Sequence, residues 1–245
     1  MSMFRRRFVV LVGVLAAFTV TLMSASPGLA IRHAVVTQLF GPKMVRAVAV
    51  ERNGDQWNLD RGVITQVSGT QLTLLEADGR VQPIPLAETT RVIRLRHQLP
   101  LSALAKHWRV LVTWPATGPA VSVDVEKIPH RHGAAVFAVR RAIIAQLFGP
   151  KMIRAVAVER NGDQWNLDRG AITQVNSSQL TLNEADGRVQ PIALSGTTKF
   201  LHAGSSLAPS DLAPRWRVLV TWPATGPAVS VDVEKIPRGT SKGFG

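Results

Sequence analysis

The 245-residue chain has no cysteine and no tyrosine, and its aromatic residues make up only 6% of the total. The absence of cysteine excludes disulfides, thiolate nucleophiles, zinc–cysteine sites and iron–sulfur clusters. The absence of tyrosine removes a common acid–base and stacking side chain. A stable fold must therefore depend on an apolar core, which a domain of about 100 residues can supply.

Acidic residues are also few, since 16 of them face 29 basic residues and leave a net charge of +13. The excess is spread along the chain, because residues 31–129 hold 12 basic and 8 acidic side chains and residues 139–237 hold 11 and 8. Without a basic stripe, nucleic acid is not an expected partner. The one basic cluster, at residues 91–97, is interpreted as a solvated surface loop.

The chain contains two copies of one module. Residues 30–129 recur at 138–237 with a constant offset of 108, and 73 of these 100 positions are identical. Residues 108–129 and 216–237 do not differ at all, whereas residues 91–98 differ from 199–206 at every position. The period is far longer than that of a solenoid, so each copy is domain-sized. We predict modules at 31–129 and 139–237, a linker at 130–138 and a disordered tail at 238–245.

The first 30 residues have the pattern of a secretory signal peptide. Three arginines at positions 5–7 precede an uncharged stretch at 8–23, and small residues follow at 28–30. The similarity between the two copies begins at Ala30, where the predicted cleavage falls. We therefore predict export to the periplasm, the cell envelope or the extracellular space. An uncleaved anchor is the alternative, and it would be the only membrane contact.

Hydrophobic periodicity predicts strands. Val121, Val123 and Val125 alternate with polar residues, which is typical of a strand with one buried and one solvated face, and places Asp124 and Glu126 on the solvated face. One short helical turn is predicted at 101–106, matched by 210–213. The strands predicted for module one lie at 45–52, 56–60, 62–68, 71–76, 81–86, 109–114 and 120–128.

The order of these elements favours an all-β fold of two tandem small OB-like β-barrels. Each barrel would have an extra leading hairpin and one short helical turn. The segments 62–67, 72–74, 78–80, 90–92, 101–104 and 109–112 together resemble a family of exported bacterial small β-barrel domains of unknown function. The sequence has His107-Trp108 and Arg215-Trp216 where that family typically has Gly-Asp. The resemblance implies fold and export, but no catalytic residue or ligand.

The side chains best suited to ligand binding are tryptophans and arginines that both copies share. An indole presents a flat apolar face to a sugar ring, and OB-like barrels bind ligands on one face and its adjoining loops. For Trp114, in phase with Val110 and Val112, a core position is the competing interpretation. The predicted ligand-binding residues are Trp57, Trp114, Arg61, Trp165, Trp222 and Arg169.

No catalytic site is predicted. None of the six histidines has a histidine at the matching position of the other copy. His130 and His132 would be a poor metal site in a linker, and paired acids such as Asp124 and Glu126 need a cleft between them to act on a substrate. We therefore expect no metal, no cofactor and no enzymatic activity.

The sequence thus predicts an exported, non-catalytic protein with a binding or structural role. One alternative is recognition of a glycan or an anionic envelope polymer through Trp and Arg side chains on the barrel face. An envelope hydrolase is a second alternative.

Overall fold

A computed structural model describes residues 41, 43–95, 97–129, 149, 151–203 and 205–237. The predicted signal peptide, linker and tail lie outside these residues. The described part of the chain is built from strands, with two short 3₁₀ turns, which confirms the predicted all-β class. Its helical segments are too short to span a membrane.

The two copies contain the same series of elements. In the first copy the strands are β1 (Met44–Glu51), β2 (Gln56–Val67), β3 (Gln71–Glu76), β4 (Val81–Pro85), β5 (Arg91–Arg94), β6 (His97–Leu99), β7 (Arg109–Pro115) and β8 (Ser122–Lys127). In the second copy they are β9 (Met152–Glu159), β10 (Gln164–Val175), β11 (Gln179–Glu184), β12 (Val189–Ala193), β13 (Lys199–His202), β14 (Ser205–Ser206), β15 (Arg217–Pro223) and β16 (Ser230–Lys235). The 3₁₀ turns are Leu101–Ala103 and Pro209–Asp211.

The strands form one open, mixed sheet with β6 and β14 at its ends. Its order is β14-β13-β16-β15-β10-β9-β1-β2-β7-β8-β5-β6. Strands β3 and β4 branch from β2, and β11 and β12 branch in the same way from β10. The pairs β5–β8 and β13–β16 are parallel, and the other pairs are antiparallel.

The long strand β2 connects the parts of the first copy. Its beginning pairs with β1, its end pairs with β3, and β7 runs along its other edge. The predicted interruption between 56–60 and 62–68 is wrong, because the strand is continuous through Gly62. A Cβ atom there would lie 2.7 Å from the carbonyl oxygen of Leu75, so glycine permits the close approach of β3.

The two copies meet through β1 and β9, which pair antiparallel around Val48 and Val156. The junction has its own buried cluster, which we call the junction core. Each copy also has one buried cluster of its own in its interior. The junction core comprises Met44, Ala47, Ala49, Leu59 and Leu111, with Met152, Ala155, Ala157, Leu167 and Leu219 from the second copy.

Two local predictions fail in β8 and its neighbour. The basic cluster at residues 91–97, interpreted as a solvated loop, lies largely in strands β5 and β6 at the end of the sheet, and β5 pairs with β8 in parallel. The predicted solvated face is also wrong, since Asp124 lies opposite Leu111 and is only 4% exposed. Alternation of polar and apolar residues shows that a strand has two different faces. It does not show whether the polar face is exposed to solvent or buried in the protein.

Candidate functional site

A cleft opens beside the junction of the two copies, with a volume of about 140 Å³. Strands β1, β2, β3 and β7 of the first copy form its walls, and one arginine of the second copy completes it. We call it the arginine cleft. Its lining residues are Met44, Val45, Arg61, Gly62, Val63, Leu75, Glu76, Ala77, Arg109 and Arg160.

Arg61 is the buried side chain of the arginine cleft, with 5% of its surface exposed. Its Nη1 donates to the carbonyl oxygens of Met44 at 2.6 Å and Gly41 at 2.8 Å. Its Nε pairs with the Oε1 of Glu126 at 3.1 Å. Its Nη2 has no hydrogen-bond partner within the described part of the chain. A buried guanidinium donor without an acceptor is costly, so this atom favours an acceptor from outside.

Positive charge is concentrated at the arginine cleft. Burial lowers the pKa of Arg61, the carboxylate of Glu126 raises it, and the charges of Arg109 and Arg160 lower it again. Arg109 and Arg160 are exposed, and neither forms an ion pair with a residue that the structure describes. Three guanidinium groups thus lie at the cleft, and the carboxylate of Glu126 pairs with Arg61. The arrangement attracts an anion.

A buried acid pair, Asp60 and Glu76, lies at the arginine cleft, which Glu76 helps to line although its side chain has no exposed surface. Arg46 Nη1 binds Glu76 Oε2 at 2.7 Å and Asp78 Oδ2 at 2.6 Å, while Trp114 Nε1 donates to Asp60. No donor reaches Glu76 Oε1 from the described residues. Burial raises the pKa of Glu76 to about 7, and the hydrogen bond and charge of Asp60 act in the same direction. The Glu76 carboxyl therefore takes up or releases its proton near neutral pH.

The second copy repeats this acid pair as Asp168 and Glu184. Arg154 Nη1 binds Glu184 Oε2 at 2.7 Å, and Trp222 Nε1 donates to Asp168. Burial raises the pKa of Asp168 and raises that of Glu184 to about 7. Sequence analysis missed this repeated set, although both acids are present in both copies. The signal that could have found it is the register, which places Glu76 opposite Gly62 and thus two residues from Asp60.

The acid pair could transfer a proton, but its position prevents contact with a substrate. The Glu76 and Glu184 side chains have no exposed surface. Arg46 and Arg154 cover them from the solvent side and are themselves held by Asp78 and Asp186. A general acid must reach the atom that it protonates, so each pair is placed to support the fold.

The six predicted ligand-binding residues occupy three kinds of position. Arg61 lines the arginine cleft, and Arg169 takes the matching place in the second copy, with 4% of its surface exposed. The half-buried side chains of Trp57 and Trp165 pack against the junction core. Trp114 and Trp222 pack against the interior cores of their own copies. The sequence prediction missed two cleft residues, Arg109 and Arg160. Arg160 could not be found from one copy, because it reaches the first copy only through the pairing of β1 with β9.

The described residues contain no group of three or more His, Cys, Asp or Glu side chains suited to a metal ion. The chain matches no protein-family model and no characterised protein in sequence comparisons.

Proposed function

We propose that this chain is an exported, non-catalytic protein of the cell envelope or extracellular space, and that it binds an anionic group in the arginine cleft. The observation that carries this proposal is the buried guanidinium of Arg61. One of its nitrogens has no partner among the described residues, and Arg109 and Arg160 add two further positive charges.

We further propose that each copy is a small OB-like barrel with a leading strand. Several pairings support this assignment. Strands β2, β3 and β4 form a meander, β7 returns to the edge of β2, and β8 follows β7 and pairs in parallel with β5. The amide of Ala120 donates to the carbonyl of Pro85, which brings the end of β4 to the start of β8. This strand order supports the assignment to an OB-like barrel.

The ligand chemistry follows from the guanidinium group. Arginine binds carboxylate, phosphate and sulfate oxygens through parallel N–H donors, and these bonds are stronger than neutral ones. An acidic glycan or another anionic envelope polymer carries such groups. The positions of Trp57 and Trp165 against the junction core favour recognition of acidic groups over stacking on sugar rings.

The buried acid pairs favour a binding protein over a hydrolase. Hydrolysis by two carboxyl groups requires that both face a substrate across a cleft. Here the Glu76 side chain has no exposed surface and faces Asp60 directly.

Calorimetric titration of the full chain with inorganic phosphate and with heparin, a sulfated glycan, tests the proposal. We expect R109A and R160A each to weaken binding at the arginine cleft by about tenfold, because each removes a charged donor there. R80A is the matched control, since Arg80 is exposed, its guanidinium donates to Gln82, and it is not among the lining residues of the cleft.

The control separates site binding from attraction to a basic surface. If R80A weakens binding as much as R109A and R160A do, the general positive field is responsible and the proposal is wrong. Absence of binding to both anions would also overturn it.

A further inference from the structure

Half of the differences between the two copies within residues 43–84 lie at the arginine cleft. Between residues 43 and 84 the copies differ at only six positions. Three of these are consecutive, at 68–70, in the turn between β2 and β3. The other three are Val45, Val63 and Leu75, and all three line the cleft. Each of the other lining residues has an identical residue at the matching position.

The junction is symmetric, so the second copy carries the matching side chains at the matching place. The amide of Arg160 donates to the carbonyl of Lys43 at 2.9 Å, and the amide of Arg52 donates to Lys151 at the same distance. Arg169 pairs with Glu234 at 3.1 Å, as Arg61 does with Glu126. The matching guanidinium set is Arg169, Arg217 and Arg52, and we call this place the second cleft.

The apolar walls of the two clefts differ. In the first copy Val63 lies opposite Leu75, and Leu75 lies opposite Val81, so three apolar side chains form a row across β2, β3 and β4. Leu75 is 42% exposed and Val81 is 59% exposed. With strands about 4.8 Å apart, the row extends for roughly 10 Å from the arginines. We call this row the apolar stripe.

In the second copy this stripe is interrupted. The matching residues are Ala171, Asn183 and Val189, in the same register. The polar amide of Asn183 at the centre of the row separates the two apolar side chains. Ala171, next to Arg169, offers less apolar surface than Val63 does in the first copy.

We propose that the two clefts bind different ligands: the first takes a small amphiphilic anion, and the second takes the anionic headgroup alone. This proposal rests on the proposed function. In the first cleft the headgroup lies against Arg61, Arg109 and Arg160, and a short aliphatic chain lies along the apolar stripe. The second cleft offers the same charges without a surface for the chain. The substitutions that separate the copies thus change specificity and leave the charged set intact.

Calorimetry on the full chain tests the proposal with inorganic phosphate, butyl phosphate and octyl phosphate, each below its micelle concentration. We expect phosphate to bind both clefts. Affinity for the first cleft should rise with chain length, by about two- to fourfold for each CH2 group that the stripe covers. One octyl phosphate should therefore bind at least tenfold more tightly than phosphate, while the second site shows no such gain.

Exchanging the residues at the centre of the two rows provides a reciprocal test. L75N should abolish the chain-length dependence at the first cleft. N183L should give the second cleft the same dependence, so that two octyl phosphates bind tightly. Each new residue occurs at the matching position of the other copy, and both sites are exposed, so both variants should fold.

The outcomes distinguish this inference from the proposed function. If phosphate binds but alkyl chain length has no effect, or if L75N retains the effect, the amphiphile proposal is wrong and anion binding stands. If no phosphate ester or phosphate binds at all, the proposed function fails. Binding to anionic phospholipid vesicles without binding to monomeric octyl phosphate would also overturn the proposal.

Discussion

Val48 lies directly opposite Val156, the residue that occupies its own position in the second copy. On either side, Ala47 pairs with Ala157 and Ala49 pairs with Ala155, so the pairing is the same in both directions. The junction therefore has the symmetry of a homodimer interface, although it lies within one chain. The junction core is shared equally, since every member has its counterpart 108 positions away.

Because the contact is made by paired strands and a shared core, it should not depend on the covalent connection. We predict that cutting the folded chain at a protease site introduced into residues 130–138 leaves the halves associated. Size-exclusion chromatography of the cut protein should show a single species of the original size. The double variant A49E/A157E places two carboxylates in the junction core, at a cost of several kcal/mol, and its halves should separate after cutting. Separation of the cut halves in the protein without these two glutamates would contradict the prediction.

The repeat and the all-β class could be predicted from the sequence because they depend on local patterns. The pairing of β1 with β9 could not, since Ala47 and Ala49 read as an ordinary strand and nothing local identifies their partner. For the same reason Arg61 was a candidate while Arg160 was missed. Asp124 was misplaced because alternation reports two different faces without reporting what covers each one. The residues of the cleft come together through strand pairing between distant parts of the chain. The periodicity of a single sequence does not reveal which strands pair.

Gly62 and Gly170 allow β3 and β11 to approach closely. A Cβ atom at either position would lie 2.7 Å from a backbone carbonyl oxygen, which cannot move without disturbing the sheet. We predict that G62A and G170A each lower the free energy of unfolding by about 1–3 kcal/mol. Urea denaturation measures the change.

Gly69 provides the matched control for these variants. A Cβ atom there meets nothing within 4 Å, and the second copy has serine at the matching position. G69A should therefore leave stability within about 0.5 kcal/mol of the original. An equal loss in G69A and G62A would show that the close approach is not the cause.

His107 and Arg215 adopt left-handed backbone conformations, with φ of 69° and 70°. Each is held there by a hydrogen bond from its own amide, to Ile64 and Ile172 respectively. Glycine adopts this conformation without the steric penalty of a Cβ atom. We predict that H107G and R215G each stabilise the protein by about 0.5 kcal/mol, measured by chemical denaturation. H107A keeps the Cβ atom and should bring no gain; a similar gain in H107A would point to the imidazole instead.

The buried acid pairs should make stability depend on pH. Burial raises the pKa of Glu76 and of Glu184 from 4.5 to about 7, so the folded state holds more protons than the unfolded state between these values. Their contribution is fully present below pH 4.5 and is lost as the pH rises through 7. We predict that the free energy of unfolding, from urea titrations at pH 5 and pH 8, falls by roughly 2 kcal/mol per site over this interval.

Replacing both glutamates identifies the source of this dependence. In E76Q/E184Q the amides keep an acceptor for Arg46 and Arg154 and a donor toward Asp60 and Asp168, but they do not ionise. Most of the loss between pH 5 and pH 8 should disappear. What remains should come from Asp124, whose pKa burial raises to about 7, and from Asp168, whose pKa burial also raises. The contrasting variant is D78N, because several hydrogen bonds and the charge of Arg46 lower the pKa of Asp78 despite the opposing effect of burial. Asp78 stabilises the fold above its unfolded pKa, so D78N should lose stability at pH 8 and leave the decline between pH 5 and pH 8 intact. An unchanged decline in E76Q/E184Q would show that Glu76 and Glu184 do not take up or release their protons near neutral pH.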